Sequence, residues 1–212
     1  MTTQMQFARQ GVVTKEMEFV AREENLSPEF IREGVAKGNI AICCNVNHKN
    51  LKPCGIGAGL RVKVNANIGT SDSFPELAPE LGKLHAAIAA GVDSIMDLST
   101  GGNITASRRA IIGASDVMVG TVPIYQVAVE TIQKHGAVVE MTKEDLFDVI
   151  RMQAQDGADF MTLHCGINRN VLKALTDEGR IMDVVVVVVV LLRDGCFITV
   201  RRILYMNTST KF

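Results

Sequence analysis

The chain has no tryptophan, and only two tyrosines and eight phenylalanines in 212 residues. Its core must therefore rest on aliphatic side chains and on methionine, which packs irregular gaps. Charge of one sign is also lacking: 22 Lys and Arg stand against 23 Asp and Glu. That balance argues against a partner that is nucleic acid or a membrane surface, since either needs a basic field. No apolar run approaches the roughly 20 residues that cross a bilayer. The opening MTTQMQFARQG lacks the apolar centre of a secretory signal. Five cysteines are an odd and scattered set, so the expectation is reduced thiols in a cytoplasmic protein. Neither a Walker loop nor a G-x-G-x-x-G fingerprint occurs, and no closely spaced Cys triplet offers itself to an iron–sulfur cluster. Hydrophobic residues at 47% exclude disorder as the main state.

What is present begins with two capped helices. Thr14 to Glu24 reads as a short helix, and Ser27-Pro28 opens another that runs through Phe30, Ile31 and Val35 to Gly38. Ile40 to Cys44 is strand-like, and the stretch from Asn45 through Pro53, Gly55, Gly57 and Gly59 reads as loop. From residue 60 the texture becomes regular. Short β-branched runs start at Val62, Val92, Val117, Ala158 and Met182, separated by helical patterns over Glu76–Gly91, Asn103–Ile112, Tyr125–His135 and Thr142–Asp156. Repeated βα units imply a parallel sheet, either doubly wound or part of a (β/α)8 barrel.

In such folds functional residues gather at the C-terminal ends of strands. Here those ends read Asn65-Ala-Asn67-Ile-Gly69, Met96-Asp97-Leu-Ser99-Thr100-Gly-Gly102, Gly120-Thr-Val-Pro-Ile-Tyr125-Gln126 and His164-Cys-Gly166. Polar groups at four successive tips point to a ligand site. The Asn amides suit a ring or ribose, Tyr125 and His164 can hydrogen-bond or stack, and the Ser99–Asn103 turn before a helix offers backbone N–H groups to a phosphate. Each has a plainer reading: Asn67 satisfying a turn, Met96 packing, Asp97 capping a helix or a loop, His164 structural. Cys43, Cys44, His48 and Cys54 form a loose set whose spacing fits no zinc pattern. His85 and His135 fall in helical stretches and are expected at the surface.

The series NANIG at 65–69, MDLSTGGNI at 96–104, GTVPIYQ at 120–126 and FMTLHCG at 160–166 resembles the phosphomethylpyrimidine synthase (ThiC) family of thiamine biosynthesis. So do Met5-Gln-Phe-Ala-Arg9, Thr14 to Ala21, Asn25 to Glu29 and the Asn45–His48 loop, and the resemblance covers about 1–183. It implies a (β/α)8 TIM-type barrel, present here as about four to five βα units, in an enzyme that is usually a homodimer. The family's reaction, of the radical S-adenosylmethionine type, rearranges 5-aminoimidazole ribonucleotide into hydroxymethylpyrimidine phosphate. A [4Fe-4S] cluster cleaves S-adenosylmethionine, and a second metal, often zinc, is held by two histidines. By motif, Asn67, Met96, Tyr125 and His164 match the family's substrate-contacting positions. Their implied role is to hold the target close and keep water out.

The departures are equally informative. Where the family continues with Ser-Arg-Gly after Met182-Asp-Val-Val, this chain has Val186, Val187 and Val188, inside a run of seven valines from Val184 to Val190. An apolar run supplies no cation for a phosphate. The family's two metal histidines and its Cys-x2-Cys-x4-Cys motif have no counterpart, so no metal ligand set is expected here. The expected organisation is an N-terminal segment over 1–60, a partial barrel over 61–183 and an aberrant tail over 184–212. The expectation is a chain inactive by itself, with the valine run limiting solubility. Two alternatives stay open. One is the paralogue that makes 5-hydroxybenzimidazole, a cobamide precursor, from the same ribonucleotide. The other is a non-catalytic ribonucleotide-binding remnant. Cys43-Cys44 replaces a Pro-Ala common in the family, without an evident reason.

Overall fold

A computed structural model describes residues 3–163 and 169–179. The tail over 184–212, the strand expected at Met182 and His164 lie outside the described residues. The chain divides into two compact units: one comprises Met1–Thr121 and Ala154–Met161, and the other runs over Val122–Gln153 and resumes at Thr162.

The first unit opens with three helices: α1 Gln4–Arg9, α2 Lys15–Glu24 and α3 Pro28–Lys37. Each start is chemically marked. Thr3 Oγ1 accepts from Gln6 N at 3.2 Å while Gln6 Oε1 accepts from Thr3 N at 2.8 Å, a complete capping box. Thr14 caps α2 through Met17 N at 3.3 Å, and Ser27 caps α3 through Phe30 N at 3.2 Å. Gly38 ends α3 at φ 76°, a left-handed position suited to glycine. The inward faces carry Ala8, Met17, Val20, Ala21, Ile31 and Val35, all buried together with Ile40. Helices α2 and α3 fall where the sequence places them; α1 is an addition, although its Thr-x-x-Gln signature was there to read.

Ile40 belongs to β1 Ile40–Cys43, which pairs antiparallel with β2 Cys54–Gly57. The second strand corrects the expectation of loop through Gly59. Glycine is uncommon in strands, but here the space requires it. A side chain at Gly55 would meet Val20 Cγ1, and one at Gly57 would meet the Asn39 backbone. A close approach between chain segments has overridden a local turn signal.

Next come β3 Asn65–Ile68, α4 Leu77–Ala89, β4 Ser94–Asp97, α5 Ile104–Ala114 and β5 Met118–Thr121, with β6 Phe160–Met161 last in this unit. The sheet is parallel throughout, in the order β3-β4-β5-β6. A parallel sheet of βα units is what the sequence pattern requires; closure into a barrel is not seen among the described residues. The strands are shorter than the apolar runs. Val62 is 89% exposed, and Val64, just before β3, donates its amide to Asp93 Oδ2 at 2.8 Å while its carbonyl accepts from Asp93 N and Ser94 N. Ile68, Ile95 and Val119 pack against Leu84 of α4 and Ile111 and Ile112 of α5.

The second unit contains α6 Pro123–His135, a 3-10 turn at Val138–Glu140, most of α7 Lys143–Asp156, and α8 Arg169–Asp177. Pro123 stands at the first helical position of α6 and Gly136 ends it at φ 82°. Val127, Ala128, Met141 and Val149 form its buried core. Among the described residues, no helix is long and apolar enough to cross a membrane.

Candidate functional site

Strand register decides which side chains meet. Asn67, Met96, Gly120 and Phe160 are partners across β3, β4, β5 and β6 in turn. Parallel partners share a face, and side chains alternate along each strand. This row therefore lies on the face opposite Ile95 and Val119, away from α4 and α5. Asn67 is exposed and Met96 half-buried. A short relay orients the Asn67 amide. Ser94 Oγ donates to Asn65 Oδ1 at 2.8 Å, and Asn65 Nδ2 donates to Asn67 Oδ1 at 2.9 Å. The Asn67 oxygen is thus engaged by Asn65. Gly120 carries no side chain because the Phe160 ring fills the space a Cβ would need.

The next row, Ile68, Asp97, Thr121 and Met161, faces the helices. Here Asp97 is buried, and its Oδ1 accepts from Ser99 N at 3.0 Å and from Ser99 Oγ at 2.6 Å. Burial pushes the Asp97 carboxyl upward; the Ser99 donors and the charge of Arg108 oppose this without reversing it. Ser99 Oγ accepts from Thr70 N at 3.1 Å, and Thr70 Oγ1 donates to Gly101 O at 2.7 Å. Buried Glu80 accepts from Gly69 N at 2.7 Å. Together these bonds fasten the tips of β3 and β4 to each other and hold Asn67 beside Met96. At Gly69, φ is 150° and a Cβ would sit 2.6 Å from Leu98 C, so the crossing requires glycine.

Of the two plainer readings of Asp97, a helix cap or a loop cap, the structure gives the loop cap. The phosphate cradle at Ser99–Asn103 is corrected in part. Ser99 N is spent on Asp97, and Thr100 N on Thr70 O at 2.8 Å. Tyr125 lies in the first turn of α6, half-buried, in the second unit. Of the four expected contact residues, Asn67 and Met96 are brought together as register neighbours.

His48 is a structural anchor. Its Nδ1 donates to Asp159 Oδ2 at 2.7 Å and its Nε2 to Ser115 O at 3.0 Å. Both ring nitrogens face acceptors, which is the arrangement of an imidazolium. Burial alone would lower its pKa, but the Asp159 and Ser115 bonds and the carboxylate charge raise it overall. Asp159 also accepts from Val119 N at 2.8 Å and Asn45 N at 2.9 Å. With no lone pair to spare, His48 cannot join Cys43, Cys44 and Cys54 around a metal. Among the described residues no group of three or more His, Cys, Asp or Glu is placed to hold one. The described residues thus do not fit an iron–sulfur cluster or a zinc ion. His85 and His135 are exposed, as expected.

Sequence reasoning missed Glu80, Asp159 and the buried Arg108. The last donates from Nε to Asp156 Oδ2 at 3.1 Å. Glu80 and Arg108 sit in amphipathic helices and Asp159 just before β6, and nothing local distinguishes these charges from solvated ones. Ser99 two residues after Asp97 was the one available signal, since that spacing makes a local turn.

Comparison with known proteins identifies the relatives of this chain. Residues 3–196 match the model of the Radical SAM ThiC family. The phosphomethylpyrimidine synthase of Thermoanaerobacter sp. (strain X514) is 57% identical over 183 residues, covering 86% of this chain and 42% of that protein. The synthase of Desulfitobacterium hafniense (strain DSM 10664 / DCB-2) is 52% identical over 197 residues, 93% of this chain and 44% of the relative. That of Geobacter metallireducens (strain ATCC 53774 / DSM 7210 / GS-15) is 47% identical over 207 residues, 97% and 46% respectively. The chain thus spans less than half the length of these curated relatives. On the strength of the match over 3–196, the chain belongs to the Radical SAM ThiC family.

Proposed function

We propose that this chain supplies the N-terminal share of a phosphomethylpyrimidine synthase, a cytoplasmic enzyme making the pyrimidine half of thiamine. The observation that carries the reading is the 57% identity over 183 residues to a protein of that name. The reaction is the conversion of 5-aminoimidazole ribonucleotide to 4-amino-2-methyl-5-hydroxymethylpyrimidine phosphate, and the partner is that ribonucleotide. Asn67, Met96, Tyr125 and His164 are its contact residues. The side-by-side register of Asn67 and Met96 supports a shared binding face for the first two. Strand order equal to chain order, β3-β4-β5-β6 with no reversal, favours a segment of a (β/α)8 barrel over a doubly wound sheet.

In the complete enzyme a [4Fe-4S] cluster and S-adenosylmethionine supply the radical, and zinc is the second metal. This sequence has five cysteines, none in a Cys-x2-Cys-x4-Cys arrangement. The chain therefore does not catalyse the reaction alone. The contribution of its own residues is positional: Asn67 donates a hydrogen bond through an amide held by Asn65, and Met96 packs against an apolar part of the ligand. The complete enzyme is a homodimer.

The test joins residues 1–183 to the C-terminal part of the Thermoanaerobacter synthase and identifies the product anaerobically. Formation of the pyrimidine phosphate is expected. A folded chimera that makes 5-hydroxybenzimidazole would assign the chain to the paralogue. One that binds ribonucleotide but turns nothing over would support a non-catalytic remnant. The chain alone, given S-adenosylmethionine and a reductant, is expected to release no 5′-deoxyadenosine; its detection would overturn the inactivity.

A further inference from the structure

Cys43 and Cys54 end one strand and begin the next, and they are direct partners in the antiparallel β1–β2 ladder. Partners share a face. Ile40 and Ile42 of β1 turn into the helical core, so Cys43 and Cys54 lie on the other side, in line with exposed Ile56. Both thiols are free and half-buried. Ala58 N donates to Asn39 O at 3.0 Å just beyond the ladder. Alternation of hydrogen-bonded pairs then places Cys43 opposite Cys54 in such a pair, where Cα atoms stand about 5.5 Å apart. That lies within the roughly 4.4–6.8 Å range of disulfides. Cys44 follows on the other side of the strand, under the influence of Glu16 and Asp159. A cleft of about 120 Å³ opens beside Cys54, where the cations Lys52, Arg61 and Lys63 face the acids Glu24, Asp93 and Asp116.

We propose that Cys43 and Cys54 are a redox modification site, forming a reversible cross-strand disulfide by exchange with a small-molecule disulfide such as oxidised glutathione. The chemistry balances in two exchanges. Cys54 gives up its proton and its thiolate attacks one sulfur of glutathione disulfide; the S–S bond breaks and the first glutathione leaves as thiolate. The Cys43 thiolate then attacks the Cys54 sulfur, expelling the second glutathione. The two protein thiols are oxidised, one glutathione disulfide is reduced, and the two protons end on the two glutathione thiols. The bond closes the loop over 44–53 that carries Asn45, Asn47 and His48.

Cys54 is the entry point because it borders the cleft; burial pushes its thiol up, with Asp93 and Glu24 adding to the push and Lys63 and Arg61 opposing it in part. Burial, with Cys54, Asp159 and Cys44 nearby, raises Cys43 to about 11. Exchange is therefore slow at neutral pH. Its rate rises about tenfold per pH unit through the mildly alkaline range, following the thiolate fraction.

The test incubates the native full-length chain with oxidised glutathione, alkylates the remaining thiols and maps tryptic peptides. Expected is a species joining peptide 38–49 to peptide 50–61, less two hydrogens, with fragmentation assigning the bond to Cys43. It should persist in Cys44→Ser, vanish in Cys43→Ser and reverse with a dithiol reductant. The proposal is overturned if Cys54 stays alkylatable or stops at the glutathione adduct. A bond from Cys54 to Cys44 overturns it equally. Fragment assignment in the unmodified chain keeps the test valid even where a variant does not fold.

Discussion

Replacing His48 with alanine probes the deepest charged contact in the first unit. The side chains of His48 and Asp159 are 1% and 0% exposed. Removal of the imidazole leaves the Asp159 carboxylate with two backbone donors, Val119 N and Asn45 N, and leaves Ser115 O without its ring partner. Breaking a buried pair from one side costs about 3–5 kcal/mol, because the remaining charge stays buried. The two surviving amide bonds argue for the lower end, about 3 kcal/mol. With a urea dependence of about 2 kcal/mol per molar, the midpoint should fall by about 1.5 M. Far-UV circular dichroism is the suitable probe, since the chain has no tryptophan.

The pH dependence adds a sign that packing alone does not supply. The folded pKa of His48 is raised above its ordinary value of 6.5. The folded state then holds a proton that the unfolded chain releases, and stability from this source is complete below about pH 6. It is lost as pH rises through the folded value. The stability difference between parent and His48→Ala should be largest near pH 6 and shrink toward pH 9. A difference below about 1 kcal/mol at pH 6, or one that grows with pH, would refute the imidazolium–carboxylate assignment.

Gly69→Ala should cost about 2 kcal/mol or more, because the clash is with the Leu98 backbone and φ is positive; hydrogen exchange at Thr70 N should lose protection, and an unchanged rate would remove the crossing from the argument. Asp97→Asn keeps an acceptor for Ser99 and removes a buried charge. The raised Asp97 pKa makes the parent lose stability as pH climbs from its ordinary value of 3.8 through the folded value, so the variant should match the parent below that range and exceed it at pH 7. A variant less stable than the parent at pH 7 would contradict this. Leu84→Ala, at a fully buried position between sheet and α5, should cost about 3 kcal/mol in the same urea titration; a loss under about 1 kcal/mol would mean the site collapses freely. Asn67→Ala in the chimeric enzyme should raise KM about tenfold, the loss of one hydrogen bond to the ligand, while leaving thermal stability unchanged because Asn67 is exposed. An altered melting temperature with unaltered KM would make it structural.

The sequence by itself determined the helix starts at Thr14 and Ser27, the stop at Gly38, and the alternation of short apolar runs with amphipathic stretches that makes a parallel sheet. These are local effects: a cap serves amides within one turn, and hydrophobic period selects helix or strand. It also placed Asn67 and Met96 at strand ends, and the order of their motifs carried the family. Tertiary structure decided the rest. Gly55 and Gly57 read as loop until Val20 and the Asn39 backbone approach them and make β2 possible. Asp159 and His48 are 111 positions apart, and only the fold, by removing both from water, turns two ordinary side chains into a pair. Ser99 was a phosphate donor by its turn but belongs to Asp97, because that carboxylate is buried and takes its hydrogen bonds from the N–H and O–H two residues on. Cys43 and Cys54 were unrelated thiols along the chain and became partners through strand register, which local sequence does not encode.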